Sequence, residues 1–373
     1  MLSIVPRPIA DLPWRAITLL LLIAGLGVIV LYSAAGGNAS PWALSHAIRF
    51  SVLFTVALVM SRLPLSWYRH LAFPAYGVAI IMVLLTELVG HVAGGAQSWL
   101  DLGIIRLQPS ELAKPALVLA LARFYELVPP SEVRKLGGIW PPVIMILVPT
   151  GLVILQPDLG TAITILASGA VAMFLAGTPI RLFAIGGLAG VVSVPLLLIY
   201  GFDHWRNRAM TFLDPASDPL GAGYHITQSK IAIGSGGIFG KGFLNGTQVH
   251  LNYLPEGHTD FVFALIAEEF GLAGGLFLIV GFILLTWWGL GVALAATERF
   301  QRIAAATLAT TVFIYVAINL LMVMGLAPVI GIPLPLISHG GSSMMTVMIC
   351  MGMLMAIDRN NRQSGSSAGR VVS

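Results

Sequence analysis

The side chains able to do chemistry are few in this sequence, and they stand where they are costly to place. The segment LPEGHTDFVFALIAEEFG, residues 254–271, holds Glu256, His258, Asp260, Glu268 and Glu269. Its carboxylates and histidine show no HExxH or related ligand spacing, so a dedicated structural zinc site is not expected. Asp260 falls where a polar stretch runs into an apolar one, beside Phe261 and Phe263. A carboxylate partly desolvated in that way has its pKa raised toward the range of a general base, which makes Asp260 the leading candidate for catalysis. A second reading of the same residue is the N-cap of the helix that follows.

Other ionisable residues interrupt apolar runs, where they mark protein interiors or cavities. Arg49 opens the second such run; either it faces a ligand or its stem snorkels to the interface. Glu111 and Lys114 stand three apart, on one face of a helix, and two readings stand equally: mutual pairing that permits burial, or contact with substrate. Asp158 falls in a turn between two apolar runs. Glu87 is read as mid-span, in a structural hydrogen bond. The glycine-rich stretch AIGSGGIFGKGF, 232–243, is not a nucleotide loop, because Ser235 and Gly242 occupy the positions where a Walker A motif needs Gly and Ser/Thr. Its backbone amides could approach an anion, or it could be a tight connection between surface helices.

The elements that must position these residues are membrane helices. Of 373 residues, 57% are hydrophobic and only 10% are charged, where a soluble domain carries about 25% charge. At about 20 residues per crossing, the chain supports roughly ten spans. Apolar runs fall near 16–34, 46–61, 71–92, 110–125, 136–157, 159–180, 182–202 and 272–296, with two more in 303–357, a stretch without Asp, Glu, Lys or Arg that APVIGIPLPLISHGG divides. The first is read as an anchor rather than a cleaved signal. With the N-terminus inside, Arg62, Arg69, Arg123, Arg134, Lys135, Arg181, Arg299, Arg302, Arg359 and Arg362 all fall in cytoplasmic segments, whereas the short outer loops hold only Arg106. The expectation is therefore an all-α integral membrane protein of about ten transmembrane helices, one polytopic domain over 1–373 with both termini cytoplasmic.

One large extracytoplasmic loop, 201–260, breaks the pattern of short connections. It carries Arg206, Arg208, Lys230 and Lys241, and a loop of this length is usually functional; short helices lying on the membrane surface are expected in it. The segment 360–373, rich in Ser and Gly, is expected to be a disordered cytoplasmic tail. The net charge of +4 comes without any basic run, so no nucleic-acid partner is implied. Cys350 is the sole cysteine, which excludes disulfides within the chain and cysteine metal sites.

Five segments in this order carry a resemblance: WLDLGIIRLQPSELAK (99–114), QPDLGTA (156–162), FLDPASDPLGAGYHITQSKIAIGSGGIFGKG (212–242), GTQVHLNYLPEGHTDFVFALIAEE (246–269) and PLPLISHGGSS (333–343). Together they resemble the SEDS family of bacterial cell-wall polymerases over nearly the whole chain, and its elongation branch more closely than its division branch. One departure is Ser98 before Trp99, where relatives usually have Arg; a contact made by that Arg is missing here or is supplied by Arg106. The resemblance implies peptidoglycan glycosyltransfer on the outer face of a bacterial cytoplasmic membrane, with lipid II and the nascent glycan strand as substrates and no organic cofactor. It matches the family's essential aspartate to Asp260, the Glu and Lys of QPSELAK to Glu111 and Lys114 beside Gln108, and the Asp of QPDLG to Asp158. It also implies a class B penicillin-binding protein as partner, along with other proteins of the elongation machinery and membrane lipid.

On this reading Asp260 deprotonates the acceptor hydroxyl. The sugar-pyrophosphate head meets cations and amide donors at the outer mouth, where Arg49, Lys114, Arg206, Arg208 and Lys230 are candidates and His258 stands nearby. A divalent cation, Mg or Mn, is admitted as a further counter-charge. Glu111 and Lys114 shape the cavity rather than carry protons. The rival readings are a lipid II flippase, which needs charges through the membrane depth; a scaffold that recruits the transpeptidase, for which Asp260 is dispensable; and a solute transporter, which needs polar sites at the midplane.

Overall fold

A bilayer's hydrocarbon core is about 30 Å thick, and a helix rises 1.5 Å per residue. That length recurs along the chain. The computed structural model describes residues 11–371 apart from 94–95, 102, 104–105, 201–202, 216–217, 219–220, 252 and 255–256; at 92–97, 193–205, 249–250 and 365–371 only the backbone is described. In order come α1 (Trp14–Ala34), α2 (Trp42–Met60), α3 (Leu65–Val89), strands β1 (His91–Ala93), β2 (Ala96–Asp101) and β3 (Arg106–Leu107), then α4 (Pro109–Leu127), α5 (Leu136–Leu155), α6 (Leu159–Ala176) and α7 (Ile180–Tyr200). After them follow α8 (Asp203–Leu213), α9 (Ala222–Ser235), α10 (Thr247–His250), α11 (Val262–Ala295), α12 (Arg299–Val323) and α13 (Gly341–Val371).

Eight of these helices are long and apolar enough to cross a membrane: α1, α2, α3, α5, α6, α11, α12 and α13. Two more are of spanning length, α4 with 19 residues, Glu111 and Lys114 among them, and α7 with 21. The chain is an all-α multi-pass membrane protein, as its composition requires. Prolines inside α3, α4 and α5 (Pro74, Pro115, Pro141, Pro142 and Pro149) are of the kind membrane helices tolerate, because neighbouring groups satisfy the backbone they free.

Burial separates the helices into a centre and a rim. The most apolar stretch of α12 is 61% buried and that of α13 78%, against 22% for α2 and α3, so α12 and α13, with the almost wholly buried α4, form the centre. α4 packs on α3, α6 and α12, α13 packs on α2, and α12 also contacts α6 and α11. Exposed Leu, Ile, Val and Phe on the rim helices are the side chains a lipid environment accepts.

Three local features depart from the sequence reading. The segment 91–107, which the expected span 71–92 overlaps at its start, folds as an antiparallel sheet in the order β1-β2-β3, with His91 opposite Trp99 and Asp101 opposite Arg106. Glu87 is not mid-span: α3 ends at Val89, which places Glu87 exposed in the last turn. The helix expected from 272 begins ten residues earlier, at Val262, and breaks at Gly271 (φ 66°, ψ −160°). Between α7 and α11 the long connection carries the short helices α8, α9 and α10, and α13 continues as helix to Val371.

Candidate functional site

Six elements bring polar groups to one end of the bundle: the first turns of α2, α4, α6 and α13, the residues that lead into α11, and the loop between α12 and α13. In the first two turns of α4, Lys114 Nζ donates to Glu111 Oε1 at 2.6 Å, as the spacing of three allows. Lys114 also donates to the Tyr315 hydroxyl, which in turn donates to Glu111 Oε2. Thr346 Oγ1, on α13, lies 2.7 Å from Glu111 Oε2 and 3.0 Å from the Glu111 carbonyl. All four residues are buried. The carboxylate is thus surrounded by donors, which is the condition under which a buried charge is tolerated. Tyr315 also packs its ring under the ammonium, which lies 4.5 Å from the ring centroid.

Asp158 is fixed next to this group. Its Oδ1 accepts the Thr161 N–H at 3.0 Å and caps α6, while Oδ2 accepts from Gln108 Nε2 at 2.9 Å. Ser342 on α13 lies 3.3 Å from Gln108 Oε1. Gln108, Asp158 and Ser342 therefore clamp the starts of α4, α6 and α13 together.

Asp260 lies one residue before Phe261, and Phe261, not Asp260, is the N-cap of α11. The backbone at Asp260 is held from the opposite helix: Asn319 Nδ2 donates to the Asp260 carbonyl at 2.8 Å and to the Ile332 carbonyl at 2.7 Å. The loop passes close, since a Cβ added at Gly331 would lie 3.6 Å from Asp260 Oδ2. Phe261 and Phe263 are buried behind it. The aspartate is itself half-buried.

A third group is continuous with Asp260. The His258 ring stacks on Trp42 at 4.2 Å between centroids, and the His258 carbonyl accepts the His339 N–H at 3.0 Å. His339 Nε2 lies 2.8 Å from Ser45 Oγ and 3.3 Å from Arg49 Nη1. Partial burial and the adjacent Arg49 guanidinium, with His258 and His46 beyond, push the His339 pKa down to about 4.

The glycine-rich segment has a structural job. The break at Gly271 would strand backbone groups of α11, and residues 237–242 satisfy them: Lys241 N–H to the Glu268 carbonyl (2.9 Å), Gly242 N–H to the Glu269 carbonyl (3.0 Å), Leu272 N–H to the Gly237 carbonyl (2.9 Å) and Ala273 N–H to the Ile238 carbonyl (3.0 Å). Such an approach requires glycine, because a Cβ at Gly240 (φ +79°) would sit 2.1 Å from the Glu269 carbonyl oxygen. Of the two sequence readings, the close connection fits, and the amides of Lys241 and Gly242 are committed within the protein. The Glu268 carboxylate, fully buried, accepts from Lys241 Nζ (2.6 Å), from the backbone and hydroxyl of Thr247 (both 2.9 Å) and from Gln248 N–H. Ser33 on α1 donates to Glu269.

The remaining candidates stand apart. Arg206 and Arg208 are on α8, exposed and half-buried, in a helix that packs on α7 and α9. Lys230 on α9 lies over Gly325 just past the end of α12, where a Cβ would meet its Cε at 2.2 Å, and its neighbour Ser229 donates to the Val323 carbonyl at 2.7 Å. A cation there complements the negative end of α12. Arg106 pairs with Asp101 on the exposed sheet at 3.4 Å, and Ser98 is buried. Glu256 lies outside the described residues. Among the described residues no three His, Cys, Asp or Glu side chains gather as a metal site. Tyr315, Asn319 and Thr346 were not among the candidates in the sequence, and His339 stood there only within PLPLISHGGSS. The available signal was Tyr315 and Asn319, four apart on one face of an otherwise apolar helix.

Fold and site define a class: a multi-pass membrane protein with a polar, partly open site at one end of its bundle. The FtsW/RodA/SpoVE family model, described as cell cycle protein, matches residues 13–363, and the chain belongs to that family. It is 43% identical to peptidoglycan glycosyltransferase MrdB of Escherichia coli K12 over 94% of this chain and 95% of that protein. It is 34% identical to the probable peptidoglycan glycosyltransferase FtsW of Trichlorobacter lovleyi, over 96% of each. Its fold is shared by solved structures, two of which follow. One, described as "Structural coordination of polymerization and crosslinking by a peptidoglycan synthase complex", has a TM-score of 0.81 at 30% identity, covering 94% of this chain and 99% of that one. The rod shape determining protein RodA of Thermus thermophilus gives 0.72 at 28% identity, covering 94% and 97%.

Proposed function

We propose that the protein is a peptidoglycan polymerase of the bacterial cytoplasmic membrane, joining lipid II units into glycan strands on the outer face. The observation that carries this reading is the placement of Asp260, held from behind by Asn319, with Arg49 reached through His258 and His339 on the same side. Asp260 takes the proton from the GlcNAc 4-hydroxyl of the acceptor as that oxygen attacks the anomeric carbon of the donor MurNAc. The bond from that carbon to the α-linked pyrophosphate breaks, and a β-1,4 linkage forms with inversion. Negative charge grows on the leaving pyrophosphate, and Arg49 is the cation placed to meet it. Preorganised charges of this kind contribute about 3–4 kcal/mol to a transition state.

Lys114 and Glu111 neutralise one another in the bundle and support the cavity. Arg206, Arg208 and Lys230 stand on the long connection, where they could guide the head group inward. Among the described residues no three His, Cys, Asp or Glu side chains gather to hold Mg or Mn. The partner we assign is a class B penicillin-binding protein, with membrane lipid around the rim and further elongation proteins beyond. A flippase needs charges spread through the membrane depth, whereas the buried Asp, Glu, Lys and Arg residues among the described residues of the spans, Glu111, Lys114, Glu268 and Glu269, all lie near one end. The test is conversion of lipid II by purified protein, with and without its cognate transpeptidase. Glycan strands from the protein support the reading. Head-group translocation in liposomes without any strand, across metal and partner conditions, would replace it with the flippase.

A further inference from the structure

The segment that bridges the break in α11 has two faces. Its polar face turns inward, where Lys241 Nζ donates to the Glu268 carboxylate at 2.6 Å and to the Thr247 hydroxyl at 2.8 Å. Its other face is apolar: Ile238 is 64% exposed and Phe239 82%, between Gly237 (φ 58°) and Gly240 (φ 79°). Both side chains are held out, because the Gly237 and Ile238 carbonyls accept the Leu272 and Ala273 N–H groups and the Gly240 N–H closes the turn on the Gly236 carbonyl at 2.8 Å. The same bonds fix their level along α11. From Val262 to Glu269 every residue of that helix is buried, whereas past the break Leu272, Leu276, Val280, Ile283 and Trp287 form an exposed apolar stripe. From Leu272 to Ala295 the helix rises about 36 Å at 1.5 Å per residue, enough for a hydrocarbon core of about 30 Å. The lipid-facing part of α11 thus begins at the break, and Ile238 and Phe239 stand at its edge. Other rings gather at this level. Phe243 stacks on Tyr32, in the last turn of α1, and lies 6.3 Å from Phe270; such rings are enriched where hydrocarbon meets head groups.

We infer that Ile238 and Phe239 form a foot that enters the bilayer at the head-group boundary of the leaflet beside Asp260, with membrane phospholipid as its occupant. An exposed apolar patch marks a protein or a membrane contact, and continuity decides between them. The foot is bonded at the first lipid-facing turn of α11, so the lipid that covers Leu272 also reaches Phe239. The segment is amphipathic in the manner of an interfacial element, with its charged side chain committed to Glu268 and its apolar side chains free to enter lipid. Through Lys241, Glu268 and Thr247 the foot ties the connection between α9 and α11 to the membrane surface. It thereby sets the height, relative to lipid, of the buried first turns of α11 and of Asp260 just before them.

The test is a depth measurement on the full-length protein in a Cys350→Ala background, with Phe239→Cys, Leu272→Cys and the exposed Asn245→Cys each labelled with bimane. The proteins are reconstituted without a partner in nanodiscs of phosphatidylethanolamine and phosphatidylglycerol. Quenching by iodide in the water is compared with quenching by added phosphatidylcholine that carries a nitroxide either near the head group or at the end of the acyl chain. Phe239→Cys should follow Leu272→Cys: iodide quenching several-fold weaker than at Asn245→Cys, and the shallow nitroxide more effective than the deep one. Iodide quenching equal to that at Asn245→Cys would put the foot in water and overturn the inference. So would strongest quenching by the deep nitroxide, or protection from iodide that appears only once the transpeptidase is added and comes without nitroxide quenching, which would make the foot a protein contact. Ile238→Cys is read in the same way, so that misfolding of one variant leaves the other to decide.

Discussion

At the scale of single residues, the site depends on buried charge that is fully satisfied. Removing one member of a buried pair strands the other, at roughly 3–5 kcal/mol, so Lys114→Ala should lower the thermal unfolding temperature markedly, whereas Tyr315→Phe should cost about 1–3 kcal/mol as one donor to Glu111 is lost. Equal unfolding temperatures for wild type and Lys114→Ala in the same detergent would mean the pair is not formed. His339 gives a pH dependence of definite sign. Its pKa is near 4 in the folded chain against about 6.5 unfolded. Between those values the unfolded state binds a proton that the folded state does not, so stability falls as pH falls through that window. Solvent access softens the effect, and His339→Gln should flatten it in unfolding curves taken from neutral pH to pH 4. The pairing of Glu111 with Lys114 was readable from their spacing on one helix. Tyr315 and Thr346 were not, because they reach Glu111 across 204 and 235 residues of sequence, and sequence spacing carries information only within an element.

At the scale of elements, the break in α11 and the glycine segment beneath it form one device. Gly271 has a backbone conformation that only glycine adopts without strain, and 237–242 supply the hydrogen bonds the broken helix lacks. Replacing Gly271 by Ala should cost about 1–3 kcal/mol of strain, together with whatever backbone bonds are lost. Hydrogen exchange would show it as faster exchange at Lys241, Gly242, Leu272 and Ala273, whose N–H groups make those bonds; unchanged protection there would contradict the account. Asn319→Leu should leave the bundle folded and lower turnover, because the Asp260 and Ile332 carbonyls lose their common donor. The expected span starting at 272 missed this arrangement for a physical reason: Glu268 and Glu269 read as loop until Lys241, Thr247, Gln248 and Ser33 are seen to satisfy them. The sheet over 91–107 escaped notice because its strands are only three, six and two residues long, too short for an alternation pattern to stand out.

At the scale of the whole molecule, the class of fold was legible, since apolar runs of spanning length can only be membrane helices; against about ten expected spans stand, among the described residues, eight helices long and apolar enough to cross and two more of spanning length. Less legible was how ends of helices far apart in sequence meet: the first turns of α2, α4, α6 and α13 converge because all four run in the same direction through the bundle. Topology can be read by labelling with a membrane-impermeant maleimide. Cys350 is buried, so wild type should stay unlabelled; in a Cys350→Ala background, cysteines at Gly103 and Asn245 should label from outside and one at Glu132 only after permeabilisation. The reverse pattern would invert the molecule and move Asp260 away from the outer face. Whether Asp260 does the chemistry is decided by lipid II polymerisation with Asp260→Asn beside wild type, each with the cognate transpeptidase and each shown to be folded and partner-bound. Wild type is expected to make strands and the variant none; strands of equal length from both would remove Asp260 as the base.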